Sequence, residues 1–340
     1  MDRIRQLFTD VKQVITATLD ETRGRPEKPK KGRPILRAQI VQMVLIKLLA
    51  TVMGWNQSQT HRQLTTMDPT FRNLCDVRKS EIPPRRTLCY RWNSRKVMTL
   101  EQRVFKRFLR PLLNQRNLHL VAMDMSDLPV SAQDQLADYG HCSKGGYWGY
   151  KFHLVTTRDG IPLAVVVTRA NEVEQSVAQS LVAQVQKALL ADNLQSLVFF
   201  VADAGYDGTP LYNAVASLCQ AQLVCAPNPR RDADLKHLRQ TGQLPTARKE
   251  ELAATDSTRD KGLLLYSQSA GKRLYHKRLV IEPTIELLKV DMAMEAIPYW
   301  IKGVRKVTRW VFNHVFAFVA MLYCNKLHRR PLRHIACYLI

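Results

Sequence analysis

Three carboxylates and three neighbouring donors carry the chemistry legible in this 340-residue chain. Asp124 closes a short apolar run at 119–124, and Asp203 closes a second at 196–203. Glu282 follows within the spacing Tyr275-x2-Arg278-x3-Glu282-x6-Lys289. Carboxylates delivered by separate elements are what hard divalent cations bind: Mg2+ takes oxygen ligands and keeps waters that phosphate oxygens can replace. A pair of such ions about 3.5–4 Å apart activates a nucleophile on one side and stabilises the leaving oxygen on the other. Tyr, Arg and Lys beside the third carboxylate suit a phosphodiester. Each Asp alone is weak, since an Asp at a strand end is more often a turn or helix cap. Asp127 and Asp207 compete with them; Asp207, before Gly208 and Thr209, reads as turn chemistry.

The charge balance names the substrate class. Lys and Arg number 51 against 29 Asp and Glu, a formal net charge of +22. Such an excess calls for a polyanion, and beside phosphodiester chemistry that polyanion is DNA. A membrane surface is the other candidate. However, the reading finds no uncharged apolar stretch of the roughly 18–20 residues a spanning helix needs, the best runs being broken by Lys47 and His314. The start, MDRIRQLFTD, carries charges where a signal peptide has its apolar core. The seven Cys are scattered and contain no CxxC pair, so neither zinc nor a disulfide framework is indicated, and they read as reduced cytosolic thiols.

The elements that must position these residues follow from periodicity. Ile4, Leu7, Val11, Val14 and Leu19 have helical spacing. Residues 22–34 are Lys/Arg/Pro/Gly-rich and read as an extended linker. An apolar helix fits 35–53, Asn56 suits the cap of a helix at 57–65, Pro83-Pro84 breaks the chain before a basic helix, and 99–116 is amphipathic. The first 117 residues thus read as an all-helical domain. At His119 the pattern changes to strand runs. YKFHLVTT and IPLAVVVT are joined by Arg158-Asp159-Gly160, a hairpin signal, and helical spacing covers 173–190. SLVFFVAD reads as a buried central strand, 209–219 as a helix and AQLVCA as a strand. The order is β-β-β-α-β-α-β, then a polar stretch at 227–272 and helices from about 283. On an ideal helix Tyr275, Arg278, Glu282 and Lys289 share one face, which also describes an ordinary solvated charged face. Pro283 is tolerated only in a first turn, so the helix is expected to begin near Glu282–Pro283, with Tyr275 and Arg278 on the approach and Glu286 as the fallback carboxylate.

These residues resemble the DDE transposases of bacterial insertion sequences, in the group with a Y-R-E-K signature. VAMDMS looks like the first-Asp strand, YWGYKFHLV like the GYK strand and VADAGYD like the second-Asp motif, while YHKRLVIEPTIELLK reproduces the signature spacing. The resemblance runs from about Leu118 to Lys289. It implies an α/β fold: an RNase H-like mixed sheet flanked by helices at 118–295, after the all-helical DNA-binding domain at 1–117 and before a basic helical region at 296–340. It implies that Asp124, Asp203 and Glu282 bind two Mg2+, with Mn2+ able to substitute. Tyr275, Arg278 and Lys289, joined by Lys151 of the GYK strand, would contact DNA. The family often inserts a β-rich segment before the Glu, and 227–272 takes that place. Some relatives cut through a DNA hairpin and stack a flipped base on a Trp between the second Asp and the Glu. No Trp lies there, although Tyr266 offers a π-face, so the hairpin step stays open.

Further DNA contacts are assigned to basic segments. Arg23, Arg25 and Arg33 lie in Arg-Pro steps resembling AT-hook cores, which suit a narrow minor groove and equally a solvated linker. Arg85 and Arg86 open a basic segment that reads as a recognition helix or as a charged surface helix. The functional expectation is a cytoplasmic, nucleoid-associated transposase that binds terminal inverted repeats of an insertion sequence and acts as a homodimer on double-stranded element ends and target DNA. The alternatives are a metal-dependent nuclease or resolvase on the same fold, and a decayed DNA-binding protein.

Overall fold

The computed structural model describes residues 1–21, 37–66, 69–113, 118–142, 145–189, 197–229 and 232–339. They divide into two compact units. One is Met1–Leu112 with Leu288–Met294 and Phe312–Ile340; the other is Leu113–Leu287 with Glu295–Val311.

The first unit is helical because its apolar residues recur at one face per turn. In the helix Asp2–Asp20 the buried stripe is Ile4, Leu7, Phe8, Val11, Ile15 and Thr18. Ile15 is buried where Val14 was expected, because the i+4 step from Val11 holds the stripe on one face. Helices follow at Arg37–Val52, Gln57–Thr65, Thr70–Leu74, Arg85–Trp92 and Arg95–Leu112. Asn56 caps Gln57–Thr65 through a capping box with Gln59, as its position predicts. Lys47 does not face solvent: its ammonium meets Glu101 at 2.6 Å, with both side chains buried. Phe108 packs on Phe316 and Tyr323, ring centroids 5.7 and 5.1 Å away.

The second unit is built on a six-stranded mixed sheet. Its strands are β1 (Leu120–Pro129), β2 (Asp138–Cys142), β3 (Gly145–Thr157), β4 (Pro162–Arg169), β5 (Phe199–Ala202) and β6 (Gln222–Cys225). β1, β3 and β4 form an antiparallel meander, turned at Gly160 with φ 78°. β2 and β4 pair with different stretches of β3. β5 runs parallel to β1, and β6 parallel to β5. The helices Gln175–Ala188 and Thr209–Cys219 supply the crossovers that parallel neighbours require. This is the α/β arrangement expected from the strand order, with β2 added; its residues DYGHC lack the apolar alternation that marks a strand.

One expectation about the approach to Glu282 is corrected. Instead of a β-rich segment, the described residues of 227–272 carry the helices Ala233–Thr241, Thr246–Ala253, Thr258–Ser267 and the start of Ser269–His276. Ser257 and Asp232 cap two of them. Tyr275 to Lys289 is not one ideal helix, as Pro283 implies. Ser269–His276 passes into a 3-10 turn, Lys277–Ile281, then the short helix Glu282–Glu286 with Pro283 in its first turn, and a π-helical turn, Leu287–Asp291. The helix start at Glu282–Pro283 agrees with the reading of proline.

By length and composition, the helix Val304–Leu327 is apolar enough to cross a membrane, but 67% of its most apolar stretch is buried within the structure, as in a core helix. Such a stretch tolerates charges within it; the uncharged run itself, 310–325 between Arg309 and Lys326, stays short of the roughly 18–20 residues of a spanning helix, as expected from the sequence.

Candidate active site

Register brings the two aspartates together. β1 pairs with β5 from Leu120↔Phe199 to Met123↔Ala202. Asp124 and Asp203 are the next residue on each strand, so they share a sheet edge and, by the two-residue repeat, a face. β1 itself does not end at Asp124, as the sequence suggested. It continues to Pro129 because β3 goes on pairing with it; what ends is the parallel half of its pairing. Asp203 leaves β5 in an extended conformation and begins the 3-10 turn Ala204–Tyr206.

The approach to Glu282 lays two donors on these aspartates. The Tyr275 hydroxyl donates to Asp203 Oδ1 at 3.1 Å, and Arg278 Nη1 donates to Asp124 Oδ2. Arg278 Nη2 stands 3.9 Å from Glu282 Oε1, and its guanidinium lies 5.8 Å from the centre of the Tyr275 ring. The Glu282 side chain is 56% exposed, that of Asp124 only 13%. The short helix bearing Glu282 is docked by Thr284, which is buried and donates to the Gly160 carbonyl at 3.2 Å.

Electrostatics mark Asp124 as strained. Burial pushes its carboxyl up to about 6; Arg278 and the Met125 N–H pull it down, and the nearby charges of Asp203 and Glu282 push it up again. Arg278 is incompletely satisfied in turn, its buried Nε having no hydrogen-bond partner among the described residues. One guanidinium thus faces three mutually repelling carboxylates. That donor set fits divalent cations, which prefer carboxylate oxygen, and Glu282 rather than Glu286 is the acid that Asp124 senses.

Beneath the aspartates lies a buried polar scaffold that sequence reasoning did not identify. His153 bonds Tyr206 Oη at 2.7 Å and Thr168 Oγ1 at 3.0 Å. Burial, with Lys151, lowers its pKa to about 3, so it is a neutral strut. The Cys225 thiol donates to the Asp203 carbonyl at 2.9 Å. Asp207 is not a simple turn residue: it is buried and bidentate to Arg259 at 3.0 and 2.8 Å, and it also accepts from the Asn228 N–H at 2.8 Å. Its neighbours in the ADAGYD motif were the available signal, since buried Tyr and Asp need partners.

Lys151, expected on DNA, is buried and holds Glu174 at 2.9 Å and the Glu172 carbonyl at 3.2 Å. Glu174 packs against Gly205, where an added Cβ would meet its carboxylate at 3.2 Å. Lys151 therefore positions the Asp203 turn. Tyr266, the alternative stacking ring, is also buried, edge-on to Tyr275 at 5.3 Å. Lys289 lies in Leu288–Met294, grouped with the helical unit. Arg85 and Arg86 are exposed at the start of their helix. Arg23, Arg25 and Arg33 lie outside the described residues.

Comparison with curated proteins gives no match. The sequence model of the family described as Transposase DDE domain matches residues 117–318, more than half of the chain and the whole of the carboxylate site. The chain belongs to the DDE transposase family, whose members act on DNA and generally depend on divalent metal.

Proposed function

We propose that this protein is the transposase of an insertion sequence, working in the cytoplasm on nucleoid DNA. Its helical unit, with Arg85, Arg86 and the basic segment containing Arg23, Arg25 and Arg33, binds the terminal inverted repeats. Its carboxylates catalyse two displacements at phosphorus. Water first attacks the phosphodiester at the element end and frees a 3′-OH; that 3′-OH then attacks target DNA. The observation that carries the reading is the register of β1 on β5, which sets Asp203 beside Asp124, with Tyr275 and Arg278 donating to both.

Asp124, Asp203 and Glu282 would hold two Mg2+, with Mn2+ able to substitute. When bound, the ions activate the attacking oxygen and stabilise the leaving one. Arg278, whose guanidinium faces all three carboxylates, would take the phosphate, a planar fork suited to it. Tyr275 exchanges Asp203 for the strand and positions it. Lys289 adds a positive charge for the backbone. Lys151, His153 and Cys225 keep the Asp203 turn in place. Two element ends must meet, so two protomers act together.

The test uses DNA carrying the inverted repeats that flank the gene, incubated with Mg2+ or Mn2+. Joined products that disappear with Asp203→Ala support the reading. Cleavage without joining gives the nuclease alternative, and binding with no metal-dependent product gives a decayed enzyme.

A further inference from the structure

Within the helical unit, and apart from the carboxylate site, Asp10, Cys324 and His328 converge. One ligand atom from each lies within 4.8 Å of the other two. Asp10 Oδ2 accepts from the Cys324 thiol at 3.1 Å and meets His328 Nε2 at 2.9 Å. Its other oxygen takes Gln6 Nε2 at 3.2 Å, so a single carboxylate oxygen serves both the thiol and the imidazole. Asp10 is 4% exposed and Cys324 fully buried, while the His328 side chain is 29% exposed. Cys324 and His328 stand four residues apart at the end of the helix Val304–Leu327, and Asp10 comes from Asp2–Asp20.

We propose that Asp10, Cys324 and His328 form a zinc site that clamps the first helix to the last. The donor chemistry selects the metal. Thiolate and imidazole suit zinc and not Mg2+, and Cys-x3-His is a spacing that sets two donors on one helical face. Charge also closes: Asp and Cys carry two negative charges when bound, Zn2+ cancels them, and the thiol proton leaves to solvent. Tetrahedral zinc with bonds of about 2.0–2.3 Å puts its ligand atoms about 3.3–3.6 Å apart. The observed 2.9 and 3.1 Å need an expansion of roughly half an ångström. The part-exposed His328 side admits water as fourth ligand. The tail is already braced beside it, as Asn325 Nδ2 donates to the Leu332 and His334 carbonyls at 2.9 and 3.2 Å.

The test is metal content together with the spectrum of the cobalt-substituted full chain, in an Asp203→Ala background that removes the carboxylate site. The result expected is one tightly held zinc per chain, a thiolate-to-cobalt charge-transfer band with Co2+, and a melting temperature that falls on chelation. Cys324→Ser and His328→Gln should each lose the zinc, and Cys337→Ser should keep it. Should Cys324→Ser fail to fold, His328→Gln decides by itself, since that side chain is partly at the surface. Absence of the charge-transfer band in the parent chain, or its persistence in His328→Gln, overturns the site and leaves a hydrogen-bonded cluster.

Discussion

Asp203 and Asp207 lie one turn apart, yet the structure treats them oppositely. Asp207 is closed: Arg259 neutralises it with two hydrogen bonds, the Asn228 amide adds a third contact, and its own carbonyl accepts from Gln175. Asp203 and its strand neighbour Asp124 are open. Among the described residues each has one side-chain donor, supplied by Tyr275 and Arg278, and Asp124 is held against burial and two neighbouring acids. A saturated carboxylate locks structure. A carboxylate left short of positive charge in company with two others is prepared for a cation. The same motif therefore contains one saturated carboxylate and one left open, and only the partners tell them apart.

Substitutions should separate the two roles. Asp203→Asn keeps shape and loses charge, so metal-dependent cleavage should fall about a thousandfold or more, roughly 4 kcal/mol of transition-state stabilisation, with little change in melting. Asp207→Ala should do the reverse in kind, lowering unfolding free energy by about 3–5 kcal/mol because Arg259 loses its buried partner. Denaturant titration reads this, and Asp207→Ala with Arg259→Leu should recover part of the loss. If Asp207→Ala left stability untouched, the contrast would collapse.

Lys151 sharpens the same comparison. As the partner of buried Glu174, Lys151→Met should destabilise the Asp203 turn and slow cleavage while the slope of log K against log salt stays the same. A drop of about one in that slope would instead mark a phosphate contact.

His153 predicts the acid behaviour of the closed scaffold. An unfolded histidine titrates near 6.5 and the folded one near 3, so between these values the unfolded chain binds the proton. The stability contribution is present above about pH 6.5 and is lost as pH falls toward 3, by about 1.4 kcal/mol per pH unit. His153→Gln should flatten that limb. The smallest effect is Thr284→Val, which removes the hydrogen bond docking the Glu282 helix and should cost about 1 kcal/mol.

Much of the sheet was legible because apolar runs, a DG turn and helical spacing each report local geometry. So was the first turn at Pro283, which proline's fixed φ enforces. The course of the site beyond that was not. Lys151 carries the same charge whether it meets phosphate or Glu174, and Asp207 the same turn propensity whether or not Arg259, 52 residues on, reaches it. Long-range pairing of polar groups leaves no local period. The change from α to 3-10 to π geometry between Tyr275 and Asp291 is likewise a product of packing, not of residue spacing.

The most direct test compares wild type with Asp124→Asn, Asp203→Asn and Glu282→Gln on a terminal-repeat duplex with Mg2+, at matched melting temperature and matched DNA binding. The account predicts metal-dependent strand cleavage by wild type and its loss in all three variants. Wild-type rates in any one of them would contradict a site built from Asp124, Asp203 and Glu282.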